Sequence, residues 1–142
     1  MTTVDFLRHG ETDAGEVMLG RTDAPLSEKG RVAVAHHIAH GKWSTILSSP
    51  LGRARETAEI ASGASGVALE IDPAWREIDF GDWDGLPRKT LAEDPRFAAF
   101  YANPEEHAPP NGEPMCEVRA RITKSLSHLA EREGSILVVT HG

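Results

Sequence analysis

The run Ile136-Leu137-Val138-Val139 is apolar without a break, and a strand of that kind needs cover on both of its faces. Crossover helices supply such cover when they pack on the two sides of a parallel sheet. Two shorter runs containing β-branched residues read as further strands, Thr3 to Leu7 and Thr45 to Ser48. Val67, Leu69 and Ile71 alternate as another short one. Helical spacings lie between them. Ser27 to His40 reads as a helix with Val32, Ala35 and Ala39 inward. Pro50 to Ser62 carries Leu51, Ala54, Ala58 and Ala61 on one face, with Ser49 as N-cap and Gly63 as the stop. Glu113 to Glu133 carries Met115, Val118, Ile122 and Leu129 as a stripe closed by Gly134.

Strands alternating with helices predict parallel pairing and right-handed crossovers. The expected fold is α/β, a three-layer α/β/α sandwich around a mostly parallel sheet. A chain of 142 residues suits one domain, here spanning 1–142. Its proline-rich stretch at about 83–112 is expected to form a cap-like segment of short helices and loops.

Three of these strands run straight into polar chemistry at their C-terminal ends: Arg8-His9, then Ser49 leading to Arg53, then His141. In open α/β sheets, ligands bind in the crevice outside the carboxyl ends of the strands. Parallel strands therefore bring two histidines and two arginines to one edge. Guanidinium forks match phosphate oxygens and stay charged. A neutral imidazole with one free nitrogen is a competent nucleophile, the other nitrogen donating to a backbone carbonyl. Arg53, in the first turn of its helix, is further expected to share an anion with free backbone N–H groups.

Composition limits the partners. The formal net charge of −7 disfavours nucleic acid and anionic membranes, but convergent arginines can still hold a small phosphorylated substrate. No apolar run reaches the roughly 20 residues of a membrane span. The start Met1-Thr2-Thr3-Val4-Asp5 lacks the pattern of a secretory signal, and Cys116 has no partner for a disulfide. These features fit a cytoplasmic protein. His36 and His40 stand one helical turn apart without a third ligand and read as a solvated face, and Trp43, Trp75 and Trp83 read as packing. No metal or cofactor is called for.

The motifs carry a resemblance. Leu7-Arg8-His9-Gly10-Glu11-Thr12, Gly20 to Gly30, Ser48-Ser49-Pro50-Leu51-Gly52-Arg53-Ala54, Glu77 to Gly85 and Val139-Thr140-His141-Gly142 together resemble the histidine phosphatase superfamily, also called phosphoglycerate-mutase-like. The wording is most similar to its small phosphatases of the α-ribazole phosphatase type. The resemblance implies a phosphomonoesterase with His9 as nucleophile, Glu77 as proton donor, and Arg8, Arg53 and His141 around the phosphate, with Asp79 the likeliest substitute for Glu77. Thr12, Arg21 and Gly142 join as substrate-binding positions. Glu77 would need a raised pKa; aromatic neighbours push that way and Arg8 and Arg53 oppose it. A mutase, a protein phosphohistidine phosphatase and a non-catalytic phosphate-binding module are the alternatives.

Two departures from the family pattern stand out. Asp13-Ala14-Gly15-Glu16 replaces a frequent Trp-Asn pair, with Thr12 expected to substitute for the asparagine. The sequence also stops directly after the second histidine motif, which predicts reduced stability or association of two copies as a homodimer. Size-exclusion chromatography with a thermal melt checks this; a normal two-state melt from a clear monomer would count against it.

Overall fold

Strand β4 (Gly134–Thr140) runs through the middle of the sheet, as its unbroken apolar run requires. Each of Ile136, Leu137, Val138 and Val139 is at most 2% exposed. The computed structural model describes residues 1–142. It pairs β4 with β1 (Thr2–Arg8) on one side and β2 (Thr45–Ser48) on the other, with β3 (Leu69–Ile71) outside β2. All four strands are parallel, in the order β1-β4-β2-β3.

Because side chains alternate along a strand, β4 feeds two cores. On one face Leu137 and Val139 meet Val34 and Ile38 of α1 (Glu28–Ile38) and Ala54, Ala58 and Ala61 of α2 (Gly52–Ser65). On the other, Ile136 and Val138 meet Trp75 and Leu129, the latter from α5 (Met115–Ala130). Burying each of the valines, leucines and isoleucines among these stabilises the fold by about 1.5–3 kcal/mol. Two short helices, α3 (Arg88–Leu91) and α4 (Pro95–Ala102), share a separate cluster of Met18, Ile78, Phe80, Trp83, Leu91 and Phe100. No helix is long and apolar enough to cross a membrane.

The helix bounds and one helix phase differ from the sequence reading, each for a local reason. In α1 the buried positions are Gly30, Val34 and Ile38, while Val32 is 61% exposed and Ala35 and Ala39 are exposed. Gly30 sets that phase: a Cβ there would stand 2.2 Å from the Glu11 carbonyl oxygen, so only glycine lets α1 approach the loop after β1. Ser27 caps α1, accepting from the Gly30 amide at 2.9 Å. Helix α2 starts at Gly52 rather than Pro50, its N-cap is Leu51, and it runs through Gly63 to Ser65. Its end falls at Gly66, whose φ of 74° is the left-handed conformation that glycine adopts freely. Helix α5 begins after Pro114 and ends at Ala130, so Glu113 precedes it and Gly134 belongs to β4.

The sheet carries its pairing past the strand ends. His9 N–H donates to Thr140 C=O at 2.9 Å, and Ser49 N–H donates to Val139 C=O at 3.0 Å. The residues leaving β1, β4 and β2 thus sit side by side on one rim. Ile136→Ala is expected to lower unfolding free energy by about 2–5 kcal/mol, and Val32→Ala to change it by no more than about 0.5 kcal/mol. Urea unfolding checks both; similar losses at the two sites would contradict the observed helix phase.

Candidate active site

His9 enters the rim directly from β1. Its Nδ1 lies 2.8 Å from the Gly10 carbonyl oxygen, which only accepts, so Nδ1 carries the hydrogen and Nε2 is left unprotonated in the neutral ring. Burial lowers the pKa of His9, and the charges of Arg53 and Arg8 lower it further, against the opposing Gly10 hydrogen bond. The ring is therefore neutral near pH 7. Thr57 of α2 fixes the loop, accepting from Gly10 N–H at 3.0 Å and donating to Arg53 C=O at 2.8 Å.

Arg53 is fully buried. Its Nη1 donates to Thr22 C=O at 3.0 Å and to Asp23 at 3.1 Å, and its Nη2 donates to the carbonyls of Leu19 and Gly20 at 3.0 and 2.9 Å. Only Nε is left without a partner. The same Asp23 carboxylate takes the amides of Gly52 and Arg53 at the start of α2. That corrects one expectation: the helix N-terminus already holds an anion from the chain itself, so it is not open to a ligand. Burial would raise the Asp23 pKa, but the Gly52, Arg53 and Ala24 hydrogen bonds outweigh it and hold it low.

His141 follows β4, its ring centroid 5.2 Å from that of His9. Its Nε2 lies 2.9 Å from Ser49 Oγ, which already accepts from Leu51 N–H. With the Ser49 hydroxyl donating to Nε2, the imidazole hydrogen sits on Nδ1. That Nδ1 is buried and unpartnered. Burial, then the charges of Arg53 and His9, lower the His141 pKa to about 3. Arg53 Nε and, in that tautomer, His141 Nδ1 are thus buried N–H donors left unsatisfied. Such groups are uncommon in folded proteins and fit an anion supplied from outside.

Glu77 completes the set from the segment after β3. Burial raises its pKa, against the Ile78 amide bonded to Oε1 at 2.9 Å and the charges of Arg53, Arg8 and Arg121. The competition that the sequence left open resolves in favour of burial. Arg8, His9, Thr12, Glu77 and Gly142 all line one cavity of about 620 Å³. Arg53 and His141 lie outside that wall, within reach of His9 by charge and ring contact. Arg21 is placed elsewhere: it is 66% exposed, pairs with Asp79 at 3.2 Å and does not line the cavity. Asp79 also accepts from Gly81 N–H at 2.9 Å and, unlike Glu77, does not line the cavity.

Several residues of the site went unassigned in the sequence reading. Asp23, Ser49 and Thr57 were inside recognised motifs, where their side-chain partners cannot be seen. Arg88 and Tyr101 reach the same cavity from α3 and α4, and no local pattern marked them. His36 and His40 are exposed, and no group of three or more His, Cys, Asp or Glu side chains is placed to hold a metal ion.

Comparison with known proteins agrees with this fold. The family model for the histidine phosphatase superfamily, branch 1, matches residues 4–142. The chain is 34% identical over 151 aligned positions to the probable phosphoglycerate mutase GpmB of Yersinia pestis, covering all of this chain and 70% of that protein. Among solved structures, YhfR of Bacillus stearothermophilus superposes with a TM-score of 0.87 at 36% identity, covering 100% of this chain and 75% of that one. A mycobacterial glucosyl-3-phosphoglycerate phosphatase in complex with VO3 gives 0.85 at 33% identity, covering 96% and 74%. The α-ribazole phosphatase of Shigella flexneri gives 0.82 at 27% identity, covering 97% and 73%.

The low pKa of His141 has a consequence for stability. Between about pH 3 and 6.5 the unfolded chain binds a proton at this position that the folded chain does not, so His141 makes stability fall as the pH drops through that window. The stability difference between wild type and His141→Gln should therefore grow more favourable to wild type from pH 5 to 6.5, by up to about 1.4 kcal/mol per pH unit, and level off above about pH 7.5. Urea titrations of both proteins across that range measure it; a difference independent of pH would show that His141 titrates normally in the fold.

Proposed function

This chain belongs to the histidine phosphatase superfamily, and from that premise we propose that it is a phosphomonoesterase acting on a small phosphorylated metabolite. The observation that carries the reading is the opposed tuning of two groups on one cavity: a neutral His9 with a free Nε2, and a Glu77 whose pKa is raised. A nucleophile must be unprotonated and an acid protonated at the same pH, and this pair moves toward both conditions.

In the proposed reaction, His9 Nε2 attacks phosphorus in line. The bond from phosphorus to the leaving oxygen breaks as the Glu77 proton passes to that oxygen, and the alcohol departs. Arg8, Arg53 Nε and His141 Nδ1 stabilise the equatorial oxygens, where charge is spread in the transition state. The Glu77 carboxylate then takes a proton from water, the water oxygen bonds to phosphorus, the P–N bond breaks and inorganic phosphate leaves. Thr12 and Gly142 remain as substrate contacts on the cavity wall. The cavity is lined mainly by polar and charged residues, which supports a polar metabolite rather than a large apolar ester.

Likeness to an α-ribazole phosphatase supports a phosphorylated nucleoside-like substrate, and likeness to a glucosyl-3-phosphoglycerate phosphatase supports a phosphorylated sugar acid. The phosphomonoester is common to both. A second reading, transfer between two positions of one sugar acid, has its support in the GpmB likeness. It requires the phosphohistidine to outlast reorientation of the product.

Release of p-nitrophenol from p-nitrophenyl phosphate in excess chelator tests the reading. Turnover that persists with chelator and falls at least about 10³-fold in His9→Ala is expected; turnover surviving His9→Ala would overturn the phosphohistidine route. Label that moves between positions of one sugar acid instead of reaching inorganic phosphate would favour the mutase.

A further inference from the structure

Glu77 lies between two single helical turns, Pro73–Trp75 and Gly81–Trp83, and belongs to no regular element itself. A carboxyl on such a segment needs something behind it to hold its direction. Two side chains outside the cavity do this. Arg121, on α5, donates through Nη1 to the carbonyls of Ala74 and, at 2.9 Å, Arg76. Through Nε and Nη2 it forks onto the Glu113 carboxylate at 2.8 and 3.0 Å. Glu113 then reaches the far side of the acid: its Oε2 accepts from Asp79 N–H at 3.3 Å, and its own N–H donates to Asp79 C=O at 2.8 Å. Glu77 and Ile78 are bracketed between these contacts. The side chains are 12% and 8% exposed, so the pair is nearly dry.

A buried ion pair is a weak source of net stability, because desolvation offsets most of its attraction. Its hydrogen bonds explain more than its charge does. Three of the five Arg121 and Glu113 side-chain contacts just described go to backbone groups of residues 74 to 79. We propose that Arg121 and Glu113 are positioning residues for the proton donor, clamping the backbone on both sides of Glu77 so that its carboxyl faces the cavity that holds His9. The inference rests on the reading of Glu77 as that donor. Neither side chain lines the cavity.

The test uses Arg121→Met combined with Glu113→Gln, which leaves no unpaired buried charge, and the milder single variant Arg121→Lys, which keeps the ion pair but loses the fork. Amide hydrogen exchange reads the clamp without activity, because Ile78 N–H is bonded to Glu77 Oε1. The double variant should lose protection at Ile78 and Asp79 by about tenfold or more while Val138 in β4 keeps its own. Kinetics reads its purpose. An alkyl phosphate such as glycerol 2-phosphate needs a proton donor, whereas p-nitrophenolate leaves with little help. The double variant should lose about 10–100-fold in kcat/KM, which reports phosphoryl transfer to His9 and not the later hydrolysis shared by both esters, on the alkyl ester and less than about 3-fold on the aryl ester.

Unchanged protection at Ile78, or equal losses on the two esters, would overturn the clamp. Should Val138 lose protection too, Arg121→Lys decides in the same way, with smaller changes confined to Ile78 and Asp79. A wild type without turnover, or turnover surviving His9→Ala, would instead refute the phosphatase reading, and exchange at Ile78 would still decide whether the clamp exists.

Discussion

Full burial of the Arg53 guanidinium is the constraint around which the site is built. A charge taken out of water costs several kcal/mol unless hydrogen bonds and an opposite charge replace its hydration. Here three backbone carbonyls and Asp23 do so. Those carbonyls belong to Leu19, Gly20 and Thr22, so the loop that links β1 to α1 is wound around a side chain of α2. The same Asp23 closes the start of α2. One ion pair therefore fixes a helix terminus, a loop and the direction of the one N–H left over. A lysine in that position has no planar fork with which to meet carbonyls on two sides and still present a further donor.

The sheet order supplies what a single loop cannot. β4 is the last strand in the chain but sits between the first and second in space. His141 consequently emerges between His9 and Ser49, and hydrogen-bonded ladder steps at Thr140 and Val139 hold the three in register. Each imidazole has one nitrogen fixed by a neighbour, Gly10 C=O for His9 and Ser49 Oγ for His141. The fixed nitrogen determines what the other can do: with the Ser49 hydroxyl donating to His141, two rings of the same chemistry receive complementary parts, one with a lone pair and one with a hydrogen.

Much of this could be read from the chain because it depends on short range. The apolar run at Ile136–Val139 dictates a central strand, and the polar residues following three strands converge wherever those strands are parallel. The grouping of Arg8, His9, Arg53 and His141 at one rim was legible for that reason, whereas Glu77 came only from the likeness of its motif to the family's. The phase of α1 was not, because it is set by contact between Gly30 and Glu11 rather than by the apolar pattern around Val32. The pairing of Arg21 was not legible either, because its partner, Asp79, lies far along the sequence. Arg121 and Glu113 escaped notice for the same cause: an arginine on a helix and a glutamate before a proline look like surface charge until their tertiary partners are known.

A net charge of −7 and a site for a dianion coexist because charge acts locally in a partly dry pocket. Arg53 and Arg8 lower the pKa of His9 and oppose the rise at Glu77, so one positive field favours the nucleophile while restraining the acid. Burial works differently on the two, because it disfavours whichever form is charged: the imidazolium of His9 and the carboxylate of Glu77. The cationic field alone would give a neutral histidine and an ionised glutamate, a pair able to bind phosphate with no proton ready for the leaving group. Desolvation supplies the missing half. In the proposed reaction a dianionic substrate entering the cavity would offset the arginine field and raise Glu77 further, so that the acid would be best protonated at the moment when its proton is needed.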